Sequence, residues 1–293
     1  MMKSPLSDRL VNLLFYGFLA GFSMYCLVPF VMVISSSFMS ESALLKDGYS
    51  LLPRDFSLLA YKLLLQDSTI FKAYGVTIFV TVVGTLLAMV FTSLLAYVIS
   101  SKSIKYRNHM AFYVYFTMLF QGGLVAEYIL ISKYLGMKDT IWVLIIPALI
   151  SPWNMFLLRN FFASIDDSLK ESAKIDGASD LYILFRIILP ISMPAMATIG
   201  LFYALAFWNK WFEAMLYISN KDLYPLQYLI INVIRNIEFV NQISANYSFV
   251  GELPPKLSTQ LATTVVTIGP IVLVYPFVQK YFVKGLMVGA VKG

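Results

Sequence analysis

Residues 170–194 read KESAKIDGASDLYILFRIILPISMP, and the position of this stretch decides the fold. Its first half is polar and carries charges of both signs, namely Lys170, Glu171, Lys174, Asp176 and Asp180. Apolar segments long enough to cross a bilayer lie on both sides of it. Charged side chains are expensive at membrane depth, so we expect this stretch to lie outside the hydrocarbon core. It therefore separates two groups of membrane-crossing segments.

The composition is that of an integral membrane protein. Hydrophobic residues make up 59% of the 293 residues and charged residues only 13%, whereas soluble domains carry about 25% charged residues. The single histidine and the single cysteine, His109 and Cys26, provide neither a metal-ligand cluster nor a cysteine–histidine nucleophile pair. No catalytic residue and no metal site are therefore predicted. The net charge of +6 fits a basic cytoplasmic side, so no nucleic-acid partner is predicted.

The apolar runs predict the membrane topology, since a helix needs roughly 20 residues to cross about 30 Å of hydrocarbon. Six runs meet this length, near residues 13–38, 73–100, 109–132, 140–162, 191–218 and 260–284. We predict an all-α, polytopic membrane protein with six transmembrane helices. No linker or internal repeat divides the chain, so residues 1–293 are predicted to form a single transmembrane domain. The first run lacks a small-residue cleavage site and is expected to stay in the mature protein.

The short turn between the second and third runs predicts the orientation. Residues 101–108 carry Lys102, Lys105 and Arg107 and no acidic residue. Short basic loops of this kind lie in the cytoplasm. The turn, both termini and the segment 163–190 are therefore predicted to face the cytoplasm, and the two long loops to face the outside.

Local signals in the polar stretch predict two short helices joined by a bend. Ser168 and Glu171 fit a capping box, so a helix should start there. Gly177 suits a left-handed position at the end of that helix, which is then about nine residues long. Ser179 is placed to cap a second helix that ends before Pro190. These signals alone permit either a helix resting on lipid head groups or a helix that contacts a partner.

The spacing of this stretch resembles the cytoplasmic loop of ATP-binding-cassette importer permeases. That loop reads E-A-A, three residues, G, nine residues, I-x-L-P. The matching positions are Glu171, Ala173, Gly177, Ile187, Leu189 and Pro190. Ser172 departs from the pattern by replacing the first alanine. The resemblance implies a coupling helix that contacts an ATPase subunit through Glu171, Ser172, Ala173, Asp176, Gly177, Ala178, Leu189 and Pro190.

The wider sequence is similar to the carbohydrate-uptake branch, in particular to the six-span partner subunit of maltose-type importers. The resemblance is carried by Asp176-Gly177-Ala178, Trp208-Asn209, Tyr224-Pro225-Leu226-Gln227 and Gly289-Ala290-Val291-Lys292-Gly293. It implies a bacterial cytoplasmic (inner) membrane importer with a second, unlike permease subunit, two ATPase subunits and an extracytoplasmic solute-binding protein. Its implied substrates are oligosaccharides or polysaccharides, including acidic alginate-like uronates.

ATP chemistry is predicted to belong to the partners. The chain contains no G-x-x-x-x-G-K-[ST] phosphate loop, so it is predicted to bind no cofactor and to be no enzyme. ATP and Mg²⁺ would be bound by the ATPase subunits, whose closure would drive alternating access in the membrane.

Polar and aromatic side chains at membrane depth predict a substrate path, because such groups rarely face lipid. The candidates are Tyr203, Phe207, Trp208, Asn209, Trp211, Glu213, Glu127 and Asn154. Lys210 is spaced to pair with Glu213 at i, i+3. An aromatic belt at the membrane interface, with Lys210 reaching the outer surface, is the alternative.

Two further segments each permit two interpretations. After Tyr224, apolar residues recur at helical spacing and predict a helix at the outer surface. The resemblance implies that this helix helps to dock the solute-binding protein, while an interfacial helix that seals the bundle is the alternative. Residues 284–293 either reach the ATPase interface or form a solvated basic terminus.

A carrier that works alone on an ion gradient is the main rival class. It would need intramembrane acids, for which Glu127 and Glu213 are the candidates. Six spans without an internal repeat fit poorly with such carriers, which are commonly built from repeats. A membrane scaffold would account for the spans but not for the spaced polar motif.

Overall fold

The structure, a computed structural model, describes three stretches of the chain. They are residues 6–66, 68–246 and 255–269. Regular secondary structure in these stretches is helical, apart from one isolated bridge between Met39 and Phe56. The α-helices are α1 (Leu6–Ser36), α2 (Glu41–Asp47), α3 (Leu59–Gln66), α4 (Thr69–Ser100), α5 (Arg107–Leu119), α6 (Gly123–Ile129), α7 (Pro152–Ala163), α8 (Asp167–Ile175), α9 (Asp180–Ile183), α10 (Leu189–Ile191), α11 (Met193–Trp208), α12 (Phe212–Tyr217) and α13 (Leu226–Asn246). Residues 257–269 are also helical, and the all-α prediction is confirmed.

Some spans are continuous and others are bent. Val11–Ser36 within α1 and the whole of α4 are each long and apolar enough to cross a membrane. Three bent pairs reach that length together, namely Arg107–Leu119 with Gly123–Tyr134 at 112°, Ile141–Ala148 with Pro152–Ala163 at 46°, and Asp180–Ile191 with Met193–Trp208 at 88°. The described residues thus provide two to five spans. Most of the sixth predicted span, residues 260–284, lies outside them, so the count of six stays a prediction.

The helices of the third, fourth and fifth predicted spans are interrupted, and the interruptions coincide with local sequence features. In the third, Gly123 adopts φ +79°, a conformation that favours glycine. In the fourth, Ser151 is extended because it precedes Pro152. In the fifth, the 88° bend lies at Ser192, and α11 ends at Asn209, whose backbone N–H and carboxamide both donate to the Leu205 carbonyl.

The described residues form two compact units. One comprises residues 6–66, 68, 232–246 and 255–269, and the other comprises residues 69–231. In the second unit, α4 packs against α7 and α11 around fully buried side chains such as Leu158 and Ile188. The prediction of a single transmembrane domain stays a prediction.

The carboxylate of Glu41 links two segments of the first unit. Glu41, at the start of α2, accepts hydrogen bonds at 2.9 Å from the backbone N–H groups of Leu257 and Ser258. These N–H groups belong to the first turn of the helix 257–269, where an acidic group offsets the positive end of the helix dipole. The loop after α1 is thereby tied to a helix from a distant part of the chain.

The close packing of α4 on α11 depends on Gly84. A Cβ atom built at Gly84 would lie 2.9 Å from two ring atoms of Phe207, which is itself only 1% exposed. At Gly200 of α11, the nearest such contact is the sulfur of Met89 at 3.9 Å, an ordinary distance. The two glycines therefore differ in the room they leave for a methyl group.

We expect Gly84→Ala to lower the free energy of unfolding. Overpacking a core costs about 1–3 kcal/mol, which exceeds the gain of roughly 1 kcal/mol that alanine brings to a helix. Gly200→Ala is the matched control and should leave stability unchanged or slightly higher. Thermal midpoints in detergent measure both variants, and equal midpoints would contradict the packing argument.

Candidate functional site

The first helix of the polar motif is α8, which is nine residues long. Its N-cap is Asp166, whose carboxylate accepts a hydrogen bond from the Ser168 N–H at 3.0 Å. The predicted capping box starting at Ser168 is therefore wrong, because Asp166 supplies the cap two residues earlier. This hydrogen bond also holds the pKa of the Asp166 carboxyl below its usual range.

The predicted left-handed glycine ends α8. Gly177 has φ +81°. Its N–H donates to the Lys174 carbonyl at 3.0 Å, and the Ala178 N–H donates to the Ala173 carbonyl at 2.9 Å. This pair of bonds satisfies the last carbonyls of the helix and fixes the direction in which the chain leaves it.

The second helical segment of the polar motif starts at Asp180 and is longer than predicted. We call it the second arm. Ser179 caps α9 by accepting from the Tyr182 N–H at 3.3 Å, as expected. The arm does not end before Pro190, however, but continues through α10. A π-helical turn at Leu184–Ile188 precedes the proline, and such a turn shifts the hydrogen-bond register where the proline supplies no N–H. We call residues 166–191 the elbow.

An ion-pair cluster joins α8 to the turn after α4. The Lys102 ammonium lies 2.7 Å from one oxygen of Asp167, and the Lys170 ammonium lies 3.2 Å from the other. The Lys170 side chain is 10% exposed and the Lys102 side chain 74%. Hydrogen bonds from Lys102 and Lys170 hold the pKa of the Asp167 carboxyl below its usual range. We call these three residues the brace.

Asp180 provides a second link between the elbow and α4. The Lys174 ammonium lies 3.0 Å from its carboxylate, and the Tyr97 hydroxyl of α4 donates to it at 3.4 Å. Sequence analysis missed this link and the brace. The opposite charges are visible in the sequence, but Tyr97 and Asp180 are 83 residues apart, and only the packed fold brings them together.

The elbow encloses a groove of about 520 Å³. Four of the predicted coupling residues line it, namely Ala173, Asp176, Gly177 and Ala178. The other four do not line it: Glu171 and Ser172 are exposed on α8, Pro190 is exposed on the second arm and Leu189 is half-buried there. The structure thus brings four of the eight residues together in one groove, and the contact of all eight with an ATPase stays a prediction.

Part of the predicted substrate path forms a cavity of about 260 Å³ between α7 and α11. The predicted residues among its lining are Asn154, Tyr203, Phe207 and Glu213. Lys210 lines it too, and its ammonium lies 2.6 Å from Glu213, as the i, i+3 spacing predicts. The Lys210 residue is 6% exposed and therefore does not reach the surface of the chain. Sequence analysis missed Ser151, whose neighbour Pro152 was the available signal.

The other predicted path residues lie outside this cavity. Trp208 is buried, and Asn209 accepts a hydrogen bond from the Gln227 side chain at 3.2 Å. Trp211 is 39% exposed and meets Phe212 edge-on. Glu127 is exposed on α6. The structure therefore divides the predicted path into a cavity and a set of scattered positions.

The helix predicted after Tyr224 is confirmed as α13. Its first residue, Leu226, donates its N–H to the Thr77 hydroxyl at 2.8 Å, which anchors the start of the helix on α4. Docking of a solute-binding protein on this helix stays a prediction. The predicted role of residues 284–293 lies outside the described residues.

Long and bent apolar helices, with a polar elbow between α7 and α11, are typical of a helical membrane protein. Residues 27–288 match the family of binding-protein-dependent transport system inner membrane components, and the chain belongs to this family. The resemblance to ATP-binding-cassette importer permeases is therefore confirmed. A permease subunit of this family is not an enzyme, and the membership does not support the rival reading as an ion-gradient carrier.

The relatives give the branch of the family. The chain is 42% identical to the polygalacturonan/rhamnogalacturonan transport system permease protein YtcP of Bacillus subtilis, over 98% of this chain and 100% of that protein. It is 40% identical to the protein LplC of the same organism, over 100% and 98% of the two chains. It is also similar to a chain of a bacterial ABC transporter involved in the import of the acidic polysaccharide alginate, with a TM-score of 0.80 and 32% identity over 96% of this chain and 100% of that chain.

Proposed function

We propose that this chain is one membrane subunit of an ATP-driven importer for acidic oligosaccharides or polysaccharides. The observation that carries the proposal is the elbow, which contains the eight residues of the coupling motif, four of them lining its groove, on a chain of the permease family. A second, unlike permease subunit, two ATPase subunits and an extracytoplasmic solute-binding protein complete the importer. The chain lies in the bacterial cytoplasmic membrane with both termini and the elbow inside.

The elbow passes the movement of the ATPase subunits to the membrane helices. The α8 helix sits in a cleft of an ATPase subunit, where the small side chain of Ala173 and the glycine at 177 permit close approach and Glu171 makes polar contact. ATP and Mg²⁺ bind to the ATPase pair, and its closure moves α8. The second arm passes this movement through the 88° bend into α11, which rocks the bundle between its outward and inward states.

The substrate assignment rests on what the relatives are named for. One similar protein is a polygalacturonan/rhamnogalacturonan permease, and one similar structure belongs to an alginate importer. Polygalacturonan and alginate are both polymers of uronic acids and carry a carboxylate on each sugar. A uronate-rich glycan is therefore the substrate class that both comparisons favour.

Affinity purification of this chain from its native membrane, followed by mass spectrometry and uptake assays, tests the proposal. We expect a second permease and an ATPase to co-purify. Proteoliposomes of the purified complex with its solute-binding protein should take up labelled oligogalacturonate only when ATP is supplied. A lone chain that moves solute without ATP would overturn the proposal and direct attention to Glu127 and Glu213.

A further inference from the structure

The cavity between α7 and α11 contains a buried cation that the elbow mechanism does not use. The Lys210 side chain is 7% exposed, whereas its partner Glu213 is 37% exposed. Its ammonium also lies 5.8 Å from the centre of the Phe207 ring. Buried charges are costly and are usually paired or functional. The lysine thus stays inside the cavity, while the carboxylate that neutralises it reaches the accessible surface.

Uncharged polar groups line the same cavity. Asn154 is 7% exposed and its residue lines the cavity. The Tyr203 hydroxyl is fixed in place, since it accepts from the Ser151 N–H at 2.8 Å and shares a hydrogen bond of 2.6 Å with the Thr92 hydroxyl. A carboxamide in the wall of a cavity can both donate and accept hydrogen bonds, so Asn154 offers polar contacts to a ligand.

The aromatic wall of the cavity complements these groups. The rings of Tyr203 and Phe207 are stacked with their centres 6.4 Å apart, and both residues line the cavity. A sugar ring offers an apolar face for such a wall, hydroxyl groups for an amide and, in a uronic acid, a carboxylate for an ammonium. Few well-placed polar groups in an otherwise apolar pocket are typical of small-molecule sites.

We propose that this cavity is a subsite for one uronate unit of the passing glycan, with Lys210 as the residue that binds its carboxylate. The inference rests on the proposed function and adds a residue that selects for charge. When the glycan enters, its carboxylate replaces Glu213 as the partner of Lys210, and Glu213 turns to the accessible side. When Glu213 pairs with Lys210 again, the glycan is released. The lysine therefore has an anionic partner at every stage, and the substrate does not stay bound.

The test compares uptake of oligogalacturonate with uptake of its neutral methyl ester by the complete importer. Lys210→Met keeps the length of the side chain and removes its charge. It should lower uptake of the acid by about 10- to 100-fold, the range expected for a charged hydrogen bond, and leave uptake of the ester nearly unchanged. Lys133→Met removes an exposed cation from the same bundle and should change neither. The measured quantity is the ratio of the two uptake rates.

Two further variants separate charge selection from misfolding. The double variant Lys210→Met/Glu213→Gln leaves no buried charge unpaired and should show the same loss of preference for the acid. Glu213→Gln alone removes the competing carboxylate, so the acid should show a lower KM together with a lower kcat.

The outcomes are distinguishable from a failure of the proposed function. If the unmodified importer takes up the acid but every Lys210 variant lowers acid and ester equally, the subsite is overturned and the proposed function stands. If the unmodified importer takes up neither the acid nor the ester, the proposed function fails and the subsite falls with it.

Discussion

Replacing Gly177 with valine is expected to remove most ATP-driven transport while the chain still folds in the membrane. Gly177 has φ +81°, and no atom lies within 4 Å of a Cβ built there. A β-branched residue is strained in this region by about 1–3 kcal/mol. The backbone relieves that strain by giving up the two hydrogen bonds that hold the end of α8, donated by the N–H groups of Gly177 and Ala178.

Without that fixed end, α8 no longer moves as one body with the second arm. Closure of the ATPase pair would then shift α8 without shifting α11. Couplings between sites are typically about 5- to 150-fold, and we expect transport per ATP hydrolysed to fall within this range. Uptake and ATP hydrolysis measured on the same proteoliposomes give this ratio directly.

Gly136 offers a matched control. It also has a positive φ, +62°, and open space around it, but it lies outside the elbow. Gly136→Val should therefore carry a similar strain and keep the coupling ratio. Glu171→Ala tests the same contact without strain, because Glu171 is exposed, and should also lower the ratio. Normal coupling in both Gly177→Val and Glu171→Ala would contradict the assignment of the elbow.

Features that depend on a few neighbouring residues were predictable. The left-handed Gly177, the Ser179 cap and the Lys210–Glu213 pair follow from turn chemistry and from helical spacing, and the structure contains all three. The cap of α8 was misplaced because Asp166 and Ser168 are both good N-cap residues. Local rules propose such candidates without ranking them.

Breaks within apolar runs were not predicted, because hydropathy measures transfer to the membrane and not backbone direction. The signals were nevertheless present in the glycine at 123, the proline at 152 and the asparagine at 209. Contacts between distant segments had no signal of this kind. Tyr203 and Thr92 are 111 residues apart, and their hydrogen bond follows only from the packing of α4 on α11.

Asp167→Asn is expected to have the second largest effect on coupling. Asp167 is the common partner of Lys102 and Lys170, and the Lys170 side chain is only 10% exposed. An asparagine keeps the shape of the side chain but not its charge. The variant therefore leaves a buried ammonium without its counter-ion, which costs about 1–3 kcal/mol or more. This cost falls on the first turn of α8, where Asp167 and Lys170 pair at i, i+3.

Lys102→Met should have a much smaller effect, because Lys102 is exposed and its attraction to Asp167 is screened by water and salt. The double variant Lys102→Met/Asp167→Asn should then resemble Asp167→Asn alone, since both changes break the same contact. Thermal midpoints and the ratio of transport to ATP hydrolysis measure the two consequences separately.

Asp222→Asn is the control for the loss of an ion pair as such. It shows whether the effect of Asp167→Asn depends on the position of the brace in the elbow. Asp222 pairs with Lys72 at 2.7 Å, the same distance as Lys102 and Asp167, but both partners are largely exposed and lie outside the elbow. If Asp167→Asn lowers coupling and Asp222→Asn does not, the ordered first turn of α8 contributes to coupling in addition to the second arm. If both variants couple normally, the brace only stabilises the fold, and the second arm alone carries the movement through its bend into α11.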